Sequence, residues 1–113
     1  MLAPKPVTLN TKLGTTRAGD RSRIWIEGHR LADAGFIVGK KFKRTWVPET
    51  QTLMLSLIES VSNLARSEYG TVSGKGDHPI IDIVGAKVME TFPTSTHVHV
   101  AYYKQLIVIE AAS

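Results

Sequence analysis

The chain has 113 residues, of which 42% are hydrophobic and 21% charged, and a formal net charge of +4. These are the values of one ordinary globular domain with a small core, and the absence of Cys excludes disulfides, thiolate metal sites and Cys nucleophiles while fitting a reducing compartment. The longest apolar runs, Leu53–Ile58 and Leu106–Ile109, fall far below the ~20 residues a membrane helix needs, and a start carrying Pro4 and Pro6 has no apolar secretory region, so a soluble cytoplasmic protein that binds no membrane is expected.

In chain order, residues 1–22 lack periodicity and carry Pro, Thr, Gly and basic residues, the composition of a flexible basic arm that orders on a partner. Arg23–Glu27 is a β-rich run closed by Gly28, and His29–Ala34 is a short helix with Gly35 where a C′ glycine belongs. Gly39 turns the chain into Lys41–Val47. There Phe42 and Trp46 share one face, Lys41, Lys43 and Thr45 take the other, and Arg44 falls on the apolar side, as on an edge strand. Leu53–Ile58 reads as a strand buried on both faces. Residues 59–79 form a polar linker with a short helix over Ser60–Glu68 and a Gly-rich stretch from Gly70 to Asp77. Ile80–Ile83, Gly85, a helix over Ala86–Thr91, an alternating strand His97–Tyr103, a turn at Lys104-Gln105 and a strand Leu106–Glu110 follow.

Residues 23–58 and 80–113 therefore read as two copies of one unit: strand, Gly, short helix, two strands. Phe36 matches Phe92, Phe42 matches Val98 and Trp46 matches Tyr102 at the same spacing. Neither unit is large enough to bury its apolar face alone, so the two should share a core. Their charge differs. Residues 1–47 hold ten Lys/Arg and three Asp/Glu, a net +7, whereas residues 48–113 hold four and seven, a net −3.

The run Arg23-Ile-Trp-Ile-Glu-Gly-His-Arg-Leu-Ala-Asp-Ala-Gly-Phe-Ile-Val-Gly-Lys-Lys-Phe42 resembles the SymE-like branch of the AbrB-type swapped-hairpin proteins. The stretch from Pro79 to Glu110 looks like a degenerate copy in which the Ala-Gly-Phe element has become Glu90-Thr-Phe92-Pro93. The resemblance implies a mainly β protein with short helices, in which two half-units interleave into one small β-barrel-like body. It also implies a basic face that lies on DNA in transcription regulators and antitoxins of this type. A tandem chain of this kind would be a pseudo-dimer by itself or would pair again as a homodimer.

The residues point toward nucleic acid without that analogy. Arg17, Arg21 and Arg23 lead into Arg30 on the short helix and then into Lys40, Lys41, Lys43 and Arg44, a cationic series suited to phosphates. Arm residues such as Lys12, Arg17 and Arg21 suit a minor groove, and Lys41 and Lys43 suit backbone contacts or a β-ribbon in the major groove. Charges that blunt an exposed strand edge are the second reading of the same lysines.

Other features read as structure. His97 and His99, two apart on one strand, could ligate a metal, yet no carboxylate cluster or Cys accompanies them and an ordinary solvated face is the better reading. Trp25 and Trp46 read as core rather than base-stacking surface. Gly74-Lys75-Gly76-Asp77 lacks the strand and helix of a phosphate loop, Asp33, Asp82 and Glu90 are isolated, and no nucleophile triad is visible. The expectation is thus a non-enzymatic, cofactor-free DNA-binding regulator or antitoxin-like protein of a mobile element or phage. RNA as target, a SymE-like toxin action on RNA, and a phage inhibitor binding a host enzyme are the alternatives.

Overall fold

The computed structural model describes residues 7–12, 23–61 and 63–112, the first of these as backbone. Nine strands and two short helices follow in the order β1 (Val7–Lys12), β2 (Arg23–Glu27), α1 (His29–Asp33), β3 (Lys41–Val47), β4 (Thr52–Ile58), β5 (Tyr69–Thr71), β6 (Ser73–Lys75), β7 (His78–Val84), α2 (Ala86–Thr91), β8 (His97–Tyr103) and β9 (Leu106–Ala112). All pairings are antiparallel. They make a six-stranded sheet in the order β1-β8-β9-β4-β3-β5 and a three-stranded sheet in the order β2-β7-β6. The large sheet is open, ending in β1 on one side and β5 on the other, so the expected barrel-like closure does not form. β2 and β7 pair with each other in a separate layer instead of bridging the two ends.

Alternation of side chains along each strand explains the layering. Ile24, Ile26, Ile81 and Ile83 point inward from the small sheet. Phe42, Leu53, Leu55, Val98, Val100, Ile107 and Ile109 point inward from the large one, and all join a single core with Leu31, Phe36, Val88 and Phe92 from the helical segments. Fully burying a side chain of this size contributes about 1.5–3 kcal/mol.

The strand registers relate the two sequence copies by an approximate two-fold axis. In the small sheet Trp25 lies opposite Asp82, with Arg23 opposite Val84 and Glu27 opposite Ile80 on either side. In the large sheet Met54 lies opposite Val108, flanked by Thr52 opposite Glu110 and Ser56 opposite Leu106. Each central pair joins residues at equivalent positions of the two copies, and the flanking pairs exchange on rotation. Turn hydrogen bonds repeat too: the Leu57 N–H donates to the Gln105 carbonyl at 3.1 Å, and the Ala111 N–H to that of Gln51 at 3.2 Å.

Both helices start the same way. Gly28 (φ 105°, ψ −175°) and Gly85 (φ 123°, ψ 177°) precede α1 and α2 in a backbone region that essentially only glycine enters. They end differently. The Phe36 N–H reaches the Leu31 carbonyl and the Gly35 N–H that of Ala32, a Schellman closure, whereas α2 ends at Phe92 itself, whose N–H donates to Val88.

Two segments depart from the sequence expectation. Within the 1–22 stretch read as an arm, residues 7–12 form β1, in register with β8 from Val7 opposite Tyr102 to Lys12 opposite His97. In the 59–79 linker, the helix expected over Ser60–Glu68 is reduced to a single 3-10 turn at Arg66–Glu68, and the Gly-rich stretch forms β5 and β6. No helix among the described residues is long and apolar enough to cross a membrane.

Candidate nucleic-acid interface

The cationic series does not stay together in space. Arg23 lies on the outer face of the small sheet, where its guanidinium makes two 3.0 Å hydrogen bonds to the Asp82 carboxylate and stacks 5.5 Å from the Trp25 ring centroid. It is already neutralised, on the layer opposite Lys41 and Lys43. Arg30 on α1 is half-buried near Tyr102; burial pushes that phenol upward from its ordinary pKa, and the Arg30 charge offsets part of the rise. Arg17 and Arg21 lie outside the described residues.

Arg44 is separated from its neighbours by strand alternation. Its side chain turns toward the layer interface between Phe42 and Trp46, donates to the Tyr69 carbonyl, and keeps Nε buried without a partner. Desolvation lowers its pKa from the ordinary guanidinium value. It borders an open cleft with Trp46, Ser67, Val84, Lys87 and Glu90.

Lys41 and Lys43 do share a surface. Both are exposed on the outer face of the large sheet, and Lys40 is exposed just before the strand. The ladder sets their neighbours. Lys43 lies between Ser56 of β4 and Tyr69 of β5, and the row continues through Leu106 to Tyr103. Lys41 lies between Ile58 and Thr71, donates from Nζ to the Thr71 hydroxyl at 3.0 Å, and holds its ammonium 5.9 Å from the Tyr69 ring centroid. Lys104 is exposed in the turn beside Tyr103. Among the described residues the ion pairs are Arg23–Asp82 and His78–Glu27, so no carboxylate lies within ion-pair distance of Lys41 or Lys43, and Glu59 shares a pocket with Lys40 without pairing with it.

Along the same face the charge fades. The next row is Ala101, Val108, Met54 and Thr45, and the one after it His99, Glu110, Thr52 and Val47. His97 and His99 are exposed at that far end, and no group of three His, Asp or Glu side chains among the described residues is placed to hold a metal. Trp46 packs partly buried against the core, whereas Trp25, read from the sequence as core, is 40% exposed. Its position at the centre of the β2–β7 pair turns it outward, since the inward positions there belong to Ile24 and Ile26.

Tyr69 and Tyr103 were not among the residues the sequence singled out. For Tyr69 the available signal was the Tyr-Gly-Thr-Val run at 69–72, whose strand composition is obscured by Gly70 and Gly74.

No protein-family model matches the chain, and no curated protein or solved structure matches it.

Proposed function

We propose that this is a small nucleic-acid-binding regulator, of the transcription-regulator or antitoxin type, acting in the cytoplasm through the outer face of the six-stranded sheet. One observation carries the reading. Lys41 and Lys43 stand exposed on one face beside Tyr69 and Thr71, with no carboxylate in ion-pair range among the described residues. Uncompensated lysines on a face that also presents hydroxyls and aromatic rings favour phosphate contacts over a merely solubilising edge. Lys43 also sits between two paired strands, so it is not needed to blunt an edge there. The symmetric registers of β2 with β7 and of β4 with β9 support the related reading of a tandem AbrB-type assembly in which one chain supplies both halves of a pseudo-dimer.

The test is a salt titration of binding to labelled nucleic acid. If Lys40, Lys41, Lys43 and Lys104 each meet one phosphate, log Kobs should fall with log salt at a slope of about −3. Changing Lys41→Glu and Lys43→Glu together should lower affinity at least about ten-fold, because two attractive contacts become repulsive. Affinity unchanged by that pair of substitutions would end the proposal.

A second reading, a protein partner such as a host enzyme, is favoured by the opposite face. Trp25 and Val84 are 40% and 51% exposed on neighbouring strands of the small sheet, and an exposed Trp is a common interface anchor. Co-purification that survives nuclease and is abolished by Trp25→Ser would support it.

A further inference from the structure

The breadth of the lysine-bearing sheet bears on which form of nucleic acid it suits. We propose that this face takes single-stranded nucleic acid in preference to duplex, an inference that rests on the nucleic-acid reading above.

The width of the sheet disfavours a duplex. A strand or ribbon reads duplex DNA by entering the major groove, which is about 12 Å wide and admits an α-helix or a two-stranded ribbon. Lys43 lies in the row Tyr103, Leu106, Ser56, Lys43, Tyr69, which crosses five hydrogen-bonded strands. At about 4.8 Å per strand that row is about 19 Å long. No two-stranded ribbon projects with the two lysines on it, because β4 covers one side of β3 along its whole length and β5 the other side at Lys41–Lys43. The groove-entering ribbon that the sequence allowed is thereby excluded. A duplex would rest on this sheet as a cylinder on a broad surface and touch few phosphates, whereas a flexible single strand can lie across it.

The side chains of the row favour unpaired bases. Two half-buried aromatic rings, Tyr69 and Tyr103, mark the two ends of the Lys43 row, and Leu106 and Ser56 form the neutral floor between them. Unstacked bases gain by lying on such rings and apolar floors, and duplex bases are already stacked. The Lys41 ammonium above the Tyr69 ring sets a phosphate-binding charge within reach of the stacking surface. Glu110 lies two rows away from Leu106 along β9, outside the region a strand on this row would occupy, and Glu59 lies on the other side, past Ile58, in a pocket with Lys40.

The experiment compares three fluorescein-labelled 20-nucleotide probes of one mixed sequence with the full chain: single-stranded DNA, the DNA duplex, and single-stranded RNA. The expected order is both single strands at least about ten-fold tighter than duplex at physiological salt, because base stacking is added to the phosphate contacts. Tyr69→Leu and Tyr103→Leu should each weaken single-strand binding by about ten-fold. Duplex binding as tight as or tighter than both single strands overturns this inference and leaves the nucleic-acid reading standing, and so does single-strand affinity that neither tyrosine variant alters. Binding of none of the probes overturns both. Should a tyrosine variant fail to fold, the order of the three probes on the unaltered protein decides alone.

Discussion

The two halves of this chain follow the same path through space and differ most at the outer strand of the hairpin. In the second half, β8 is covered along six residues by β1, and Val98, Val100 and Tyr102 on its inner side are buried. In the first half the equivalent strand, β3, is covered by β5 only at Lys41–Lys43. Its inner positions are Phe42, Arg44 and Trp46, of which only Phe42 is fully packed. Arg44 thus occupies the place of Val100, at an open cleft in place of a covered one. The core positions are nearly interchangeable between the halves, as Ile24 with Ile81, Ile26 with Ile83, Leu53 with Ile107 and Leu55 with Ile109 show. Symmetry is therefore kept where packing requires it and relaxed where the chain meets solvent.

The strongest way to break this comparison is to remove equivalent core rings. Phe36 and Phe92 are both essentially without solvent exposure, and each follows its helix in the same position relative to the hairpin. Phe36→Ala and Phe92→Ala should each cost about 3–5 kcal/mol in chemical denaturation. Costs that differ by more than about 2 kcal/mol would mean that the two halves do not share the core equally.

A smaller and cleaner comparison uses the glycines before the helices. A Cβ built at Gly28 or Gly85 meets nothing within 4 Å, so alanine there is penalised by backbone conformation alone. Gly28→Ala and Gly85→Ala should each destabilise by about 1–3 kcal/mol, the usual cost of a strained φ/ψ region. Equal shifts in denaturation midpoint would support equivalence, and a neutral substitution at either site would refute it.

The asymmetric position allows a change of opposite sign. Arg44 keeps one buried N–H unpaired while another donates to the Tyr69 carbonyl. An unsatisfied buried group costs about 1–3 kcal/mol, and the bond to Tyr69 returns part of that. Arg44→Met retains the apolar stem and removes both, so stability should rise by about 1 kcal/mol. A fall of that size would show the guanidinium to be a net structural contributor.

Much of this architecture was legible from local pattern. The alternation in Lys41–Val47 and His97–Tyr103, the continuous apolar run Leu53–Ile58, and the glycine before each short helix are local signals, and the strands and helices lie where they indicate. Closure of the sheets was not, because whether β1 and β5 meet depends on pairings between residues distant in sequence. β1 itself had little local signal: Val7 and Leu9 alternate with Thr8 and Asn10, but the strand is defined by the edge that β8 offers it. The cationic series shows the sharpest limit. Arg23, Lys41, Lys43 and Arg44 are close in sequence, yet β2 belongs to the opposite layer and strand alternation turns Arg44 inward. Charge counted along the chain also divides it into a positive and a negative half, but β4 pairs with β9, so both halves contribute to one continuous sheet.

The smallest expected effect sits at the two turns, where the pseudo-symmetry is most local. Gln51 and Gln105 are the non-glycine residues with positive φ among the described ones, at 50° and 62°, and they occupy equivalent turn positions. Their carbonyls accept from Ala111 and Leu57 respectively, so backbone bonding rather than side-chain packing fixes the turn. Glycine enters the left-handed region without the Cβ penalty of about 1–2 kcal/mol, and its greater freedom in the unfolded chain offsets about 0.5–1 kcal/mol of that gain. Gln51→Gly and Gln105→Gly should therefore each stabilise by less than about 1 kcal/mol, read as a rise of a few degrees in melting temperature. The double substitution should give the sum, since the turns belong to separate hairpins and lie at opposite ends of the β4–β9 ladder. A marked departure from additivity would mean that the two turns communicate through the β4–β9 seam, and that the halves behave as one cooperative unit even at their turns.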